Sequence, residues 1–187
     1  FSLNVNTDDF SLDNIFANTT LDNSDYIKGQ TLNSTYYIPG YQWYPNITLD
    51  TESAYLLNLN NDTEILYYGS YLDPNNTDID IASGWNWISY VPQNELDIQS
   101  DDVLSSLNLQ DGDYIKGQTV TSTYYVPGDQ WYPDITLKPT EAYLLKVSSS
   151  GTLTYPDIQN SNNNNNINRI VQYVDDFNYH QFKYNGS

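Results

Sequence analysis

The stretch DYIKGQTLNSTYYIPGYQWYPNIT (residues 25–48) returns as DYIKGQTVTSTYYVPGDQWYPDIT at residues 113–136. Over 25–57 against 113–145, 24 of 33 positions are identical at a constant offset of 88. A duplication this long constrains the fold more than any other feature, because the structure of one copy must be a unit that can occur twice in 187 residues. Several differences are conservative, such as Leu32 for Val120 and Ile38 for Val126, as expected of core positions that tolerate small changes of volume.

Local signals in both copies are those of strands. TYYIPG and TYYVPG are rich in Tyr, Ile and Val and are stopped by Pro-Gly. A second strand follows WYP in each copy. SAYLLNL and TEILYY flank NND, and EAYLLKV and TLTYP flank SSSG, in hairpin-like patterns. Upstream, SLDNIF (11–16) and QSDDVL (99–104) each place Ser and acidic residues before apolar ones. Such residues cap orphan N–H groups, so a short helix is expected near 12–18 and near 101–107. The second copy also has a leading strand, GWNWISYV (84–91), with Trp85 and Trp87 on one face by alternation. The first copy offers only FSLNV there; if Phe1 matches Ile88, it has no counterpart of GWNW.

The expected fold class is mostly β, a β-rich α+β chain of two tandem small modules, each with one short helix, followed by a strand-like C-terminal tail. The expected boundaries are 1–70 for the first module, with an incomplete leading strand, and 71–83 for a linker. The second module is expected at 84–157, an Asn-rich linker at 158–168, and the tail at 169–187. QNSNNNNNIN (159–168) is flexible by composition. In the tail, Val171, Tyr173, Phe177 and Tyr179 share the parity of one strand face. A strand pair without a sheet of its own is barely stable, so this segment needs a sheet to join.

Composition narrows the function. The formal net charge is −18 with only six Lys plus Arg, which argues against nucleic-acid binding and against attraction to an anionic membrane surface. There is no Cys, hence no disulfide or thiolate metal site, and no apolar run of the ~20 residues that span a bilayer. The absence of Met implies a chain that is processed or partly represented, which an export signal removed from its start would fit. The single His, His180, lies in the tail and gives a Ser–His–Asp constellation little to work with. With no phosphate-binding Gly-rich loop and no His/Cys cluster, neither an enzyme nor a cofactor is expected.

Four groups of residues have a functional reading beside a structural one. Lys28 and Lys116 lie in the duplicated DYIKGQT and suit an ion pair with Asp25 or Asp113, or, more sharply, a Lys–Asn or Lys–Asp isopeptide staple. Trp43, Tyr44, Trp131 and Tyr132 precede a proline in each copy and suit core or edge plugs, or, if exposed, a row that stacks on sugar rings. DPNNTDID (73–80) spaces Asp73, Asn75, Asp78 and Asp80 like part of a calcium loop, without the Gly and the closing Glu that an EF-hand needs; an acidic linker is the simpler reading. Six Asn-x-Ser/Thr sequons occur, at Asn18, Asn33, Asn46, Asn61, Asn75 and Asn185. Five fall within 18–75, while the second copy has Thr121 and Asp134 where the first has Asn33 and Asn46.

The pattern GWNWIS, then DYIKGQ, then W, LKP and AYLLKVS resembles a tandem repeat module of large secreted and cell-surface, adhesin-like proteins. The first copy departs from it by lacking the Trp-Asn-Trp strand and by carrying Asn58 in place of Lys146. The tail VDDFNYHQFKYNGS is similar to the opening strand of sandwich modules that follow such repeats. The resemblance implies an extracellular scaffold or adhesion role and no established catalysis. The expectation is an extracellular structural subunit whose partners are copies of itself, joined head-to-tail into a filament or surface layer by β-strand addition of the tail, with no nucleic acid bound and no membrane insertion. The alternative is a carbohydrate-binding adhesin fragment, with glycans as partners; a hydrolase comes third.

Overall fold

The computed structural model describes residues 1–126 and 128–158 together with the backbone of 169–174. The elements in chain order are β1 (Val5–Asn6), α1 (Leu12–Ile15), β2 (Tyr26–Gly29), β3 (Thr35–Ile38), β4 (Gln42–Tyr44), β5 (Tyr55–Asn58) and β6 (Glu64–Tyr71). They continue with a 3-10 turn (Pro74–Asn76), β7 (Asp78–Ile81), β8 (Gly84–Ser89), β9 (Leu96–Asp97), β10 (Tyr114–Lys116), β11 (Thr121–Tyr125) and β12 (Gln130–Tyr132). The last are β13 (Thr136–Leu137), β14 (Ala142–Val147), β15 (Gly151–Thr154) and β16 (Arg169–Val174). The protein is mostly β, with several antiparallel sheets and one short α-helix among the described residues.

The two copies of the repeated sequence form ladders with the same order of strands. In the first copy the strand order is β4-β3-β2-β5, and in the second it is β12-β11-β10-β14, extended by β8. The central pairs keep the offset of 88: Tyr26 stands opposite Asn58 as Tyr114 stands opposite Lys146. Alternation buries Ile27 and Leu57 in one copy, and Ile115 and Leu145 in the other. The two hydrophobic clusters are separate in sequence, one built from Phe1 to Tyr67 and one from Ile79 to Tyr155. Phe1 exchanges backbone hydrogen bonds with Tyr55, where Ile88 stands opposite Tyr143 in the second copy. The match of Phe1 to Ile88 is therefore the structural one.

Two expectations need correction. The helix near 12–18 is one turn, Leu12–Ile15, capped by the Ser11 hydroxyl, which accepts from the Asn14 N–H. Residues 101–107 form no helix but a series of turns. Asp102 there adopts a φ of 52°, which a right-handed helix cannot accommodate, so the acids that suit a helix start serve a turn instead. In addition, residues 71–83, expected as a linker, include β7, which pairs with β15 and contributes Ile79 and Ile81 to the second core.

The near-identical STYY strands also differ in register. Tyr26 stands opposite Tyr36 in the first copy, but Tyr114 stands opposite Thr123, the sequence equivalent of Thr35, in the second. The slip continues to the next strand, so that Trp43 packs on Tyr37 while Trp131 packs on Tyr124. Thr, Ser and Tyr occupy both faces of this strand, so alternation specifies its register weakly. In the second copy the Tyr124 hydroxyl donates to Asp129, a position that is Tyr41 in the first. The slip carries a cost. Ser122 is buried and donates to the Pro133 carbonyl at 2.6 Å, whereas Thr35, at the matching register position, is buried with its hydroxyl unpartnered. Replacing Thr35 with Val, which keeps the shape and removes the unpaired hydroxyl, is expected to be neutral or to stabilise by about 1 kcal/mol. Ser122→Ala is expected to cost about 1 kcal/mol, and thermal denaturation of the two variants checks the pair.

Candidate functional site

The site that stands out is β6. Its buried residues Ile65 and Tyr67 correspond, at the offset of 88, to Leu153 and Tyr155 around β15. The correspondence extends to chemistry: the Tyr155 hydroxyl donates to the Ser89 carbonyl at 2.6 Å, and the Tyr67 hydroxyl to the Ser2 carbonyl at 3.4 Å. Burial raises the pKa of both phenols, so both remain neutral donors. In the second copy β15 pairs with β7, Leu153 opposite Ile79 and Thr152 opposite Asp80. In the first copy β6 pairs with β16, Ile65 opposite Tyr173 and Glu64 opposite Val174. Both pairs are antiparallel, and β16 covers Glu64, Ile65 and Leu66 of β6, the equivalents of Thr152, Leu153 and Thr154, which β7 covers on β15. Tyr173 holds the place of Ile79, and Val171 stands opposite the buried Tyr67.

At its far end β6 also pairs with β1, Val5 opposite Tyr71. Gly69 lies at the changeover, opposite Arg169, where a Cβ would collide with the Asn6 carbonyl and the Val5 side chain. Only the absence of a side chain at this position lets β1 approach β6 so closely.

The tryptophan–tyrosine pairs divide by face. Trp43 and Trp131 are 4% and 5% exposed and belong to the two cores, so stacking on a ligand is closed to them. Tyr44 and Tyr132 are 70% and 67% exposed. Tyr44 stands opposite Tyr36, which in turn stands opposite Tyr26, and the Tyr26 and Tyr36 rings lie 5.6 Å apart. The first copy thus carries a cross-strand row of three tyrosines. The second has Thr123 in its middle and Trp85 against Tyr114 at its end.

The duplicated acids do not pair with the duplicated lysines. Asp25 is buried and accepts from the Asp22 N–H, the Asn60 N–H and the Asn60 side chain, each at 2.7 Å. Asp113 does the same with the Gln110 N–H, the Ser148 N–H and the Ser148 hydroxyl, each at 2.8 Å. Each carboxylate thereby ties the start of a strand to the hairpin that closes the repeat, while Lys28 is exposed and Lys116 half-buried. Asn60 and Ser148 differ in identity, and sequence comparison gave no reason to single them out.

The sequon residues Asn18, Asn33, Asn46, Asn61 and Asn75 are all exposed. Asn185 lies outside the described residues, as do Phe177 and Tyr179. The oxygens of the suggested calcium loop have separate partners. Asp73 caps the 3-10 turn, Asp78 accepts from the Thr154 hydroxyl at 2.6 Å, and the Asn75 side-chain Oδ1 accepts from the Asp157 N–H; Asp80 is exposed on β7. Among the described residues no group of three or more His, Cys, Asp or Glu could hold a metal ion, and no helix is long and apolar enough to cross a membrane.

Compared with known proteins, the chain matches no family model, and neither a curated protein nor a solved structure is significantly similar to it, so the reading of its function starts from the β6 site itself.

Proposed function

We propose that this chain is an extracellular structural subunit that assembles head-to-tail, residues 169–174 of one copy adding as a strand to β6 of the next. One observation carries this reading: β16 pairs antiparallel with β6 over positions equivalent to those of β15 that β7 covers. The first copy of the repeat therefore has an acceptor that is satisfied by a strand remote in sequence. Main-chain hydrogen bonds supply the affinity of such an addition, and the pockets for alternate side chains supply its specificity. A contact between two different surfaces of one subunit propagates into a fibre unless a ring closes. The exposed sequons and the resemblance to repeats of cell-surface proteins support the extracellular placement.

Deleting residues 167–187 is expected to leave a folded chain that forms no filaments at any concentration at which the full chain does. Electron microscopy of both preparations checks this, and identical filaments from the truncated chain would remove the strand as connector. A second reading, a carbohydrate-binding adhesin fragment, is favoured by the Tyr26–Tyr36–Tyr44 row. Glycan-array binding lost on Tyr36→Ala together with Tyr44→Ala would establish it.

A further inference from the structure

We propose that the β6 edge is one binding site with two alternative occupants, the chain's own strand 169–174 and the same strand of a second copy, so that the form with the strand paired within its own chain is a self-capped subunit. This inference rests on the reading of that strand as the connector, and it adds what regulates the connection.

The argument starts from equivalence. β16 and β7 run antiparallel to equivalent stretches of β6 and β15, and nothing in the backbone hydrogen bonding of such a ladder distinguishes a strand by the chain it belongs to. In the second copy the equivalent position is filled by β7, which is joined to β8 through only Ala82 and Ser83. That acceptor is closed by the local chain. In the first copy the occupant arrives through residues 159–168, which at ~3.5 Å per residue span up to about 35 Å. Each subunit therefore has one exchangeable strand and one acceptor, the valence that gives a linear chain rather than a network.

Concentration decides between the occupants. Covalent connection over so few residues presents the chain's own strand at an effective concentration on the order of millimolar, so pairing within the chain prevails in dilute solution. An exposed pair of unsatisfied strand edges is the alternative, and it is disfavoured in both states. Assembly is then an exchange of like for like, favoured by crowding of subunits and by any contacts the polymer adds.

A cross-strand disulfide reads the occupant directly, because the chain has no cysteine of its own. Tyr68 and Ile170 stand opposite each other, and Tyr68 is exposed, so Tyr68→Cys with Ile170→Cys places two thiols within the reach of a disulfide at little cost to the core. Leu66→Cys with Gln172→Cys is the second pair, should the first disturb folding. Each variant is oxidised after dilution to low micromolar and again after assembly, then run on a non-reducing gel. The expected result is a monomer with an internal disulfide when dilute, a ladder of cross-linked copies when assembled, and loss of assembly once the dilute form has been oxidised. A ladder at every dilution overturns the self-capped state and leaves the strand as connector. An internal disulfide inside intact filaments overturns the connector reading and this inference with it. No disulfide from either pair in either state shows that the strand does not occupy β6 and overturns both.

Discussion

Trp131→Ala is expected to lower stability by about 3–5 kcal/mol, whereas Tyr132→Ala, one residue along, stays within about 0.5 kcal/mol of the parent. Trp131 is 5% exposed, lies in the second core and packs on Tyr124 with ring centroids 5.4 Å apart. Its removal leaves a cavity the size of an indole, and the surrounding β-sheet cannot collapse into it without breaking the ladder to β11. Tyr132 points to the other face and is 67% exposed. The contrast bears on function, because loss of glycan binding in Trp131→Ala would report unfolding, not a lost sugar contact. The tyrosine row is the surface on which a ligand can be tested. Denaturant titration of the two variants, with unchanged slope for Tyr132→Ala, checks the claim; a loss at Trp131→Ala as small as that at Tyr132→Ala would place Trp131 outside the core.

The second large effect is expected at the duplicated acids. Asp113→Ala removes the acceptor of the Gln110 and Ser148 N–H groups and of the Ser148 hydroxyl, and leaves them beside an apolar methyl. Unpaired buried donors cost about 1–3 kcal/mol each when water cannot reach them, so a total loss of about 3 kcal/mol is expected. Asp113→Asn keeps one acceptor oxygen and should retain part of the stability. Asp25→Ala should behave alike in the first copy through Asn60. Asp25 adds a pH signature. Burial raises its pKa above the ordinary 3.8, outweighing the opposing N–H groups of Asp22 and Asn60. The protonated form is thus favoured by folding, and its contribution is fully present below 3.8 and is lost as the pH rises through the raised folded value. The difference in melting temperature between the parent and Asp25→Asn should accordingly shift in favour of the parent on acidification from neutrality. A difference independent of pH would contradict it.

The sequence by itself determined the repeated part of this protein. The offset of 88, the YIK and AYLL strands and the Pro-Gly stops are local signals, and identical local signals gave identical central ladders, Tyr26 to Asn58 and Tyr114 to Lys146. The acidic character and the exposure of the sequons likewise follow from residue chemistry. Three things were decided only by tertiary structure. The face of each Trp-Tyr pair depends on which side of the sheet the core covers, and two adjacent residues in a strand cannot share a face. The register of STYY depends on partners elsewhere, since Asp129 can accept from Tyr124 and Tyr41 offers no carboxylate in its place. The pairing of 169–174 with β6 joins segments about a hundred residues apart in sequence. Periodicity shows that such a segment can be a strand, but the strand it joins is set by an unfilled row of N–H and C=O groups that exists only once the rest of the sheet has formed.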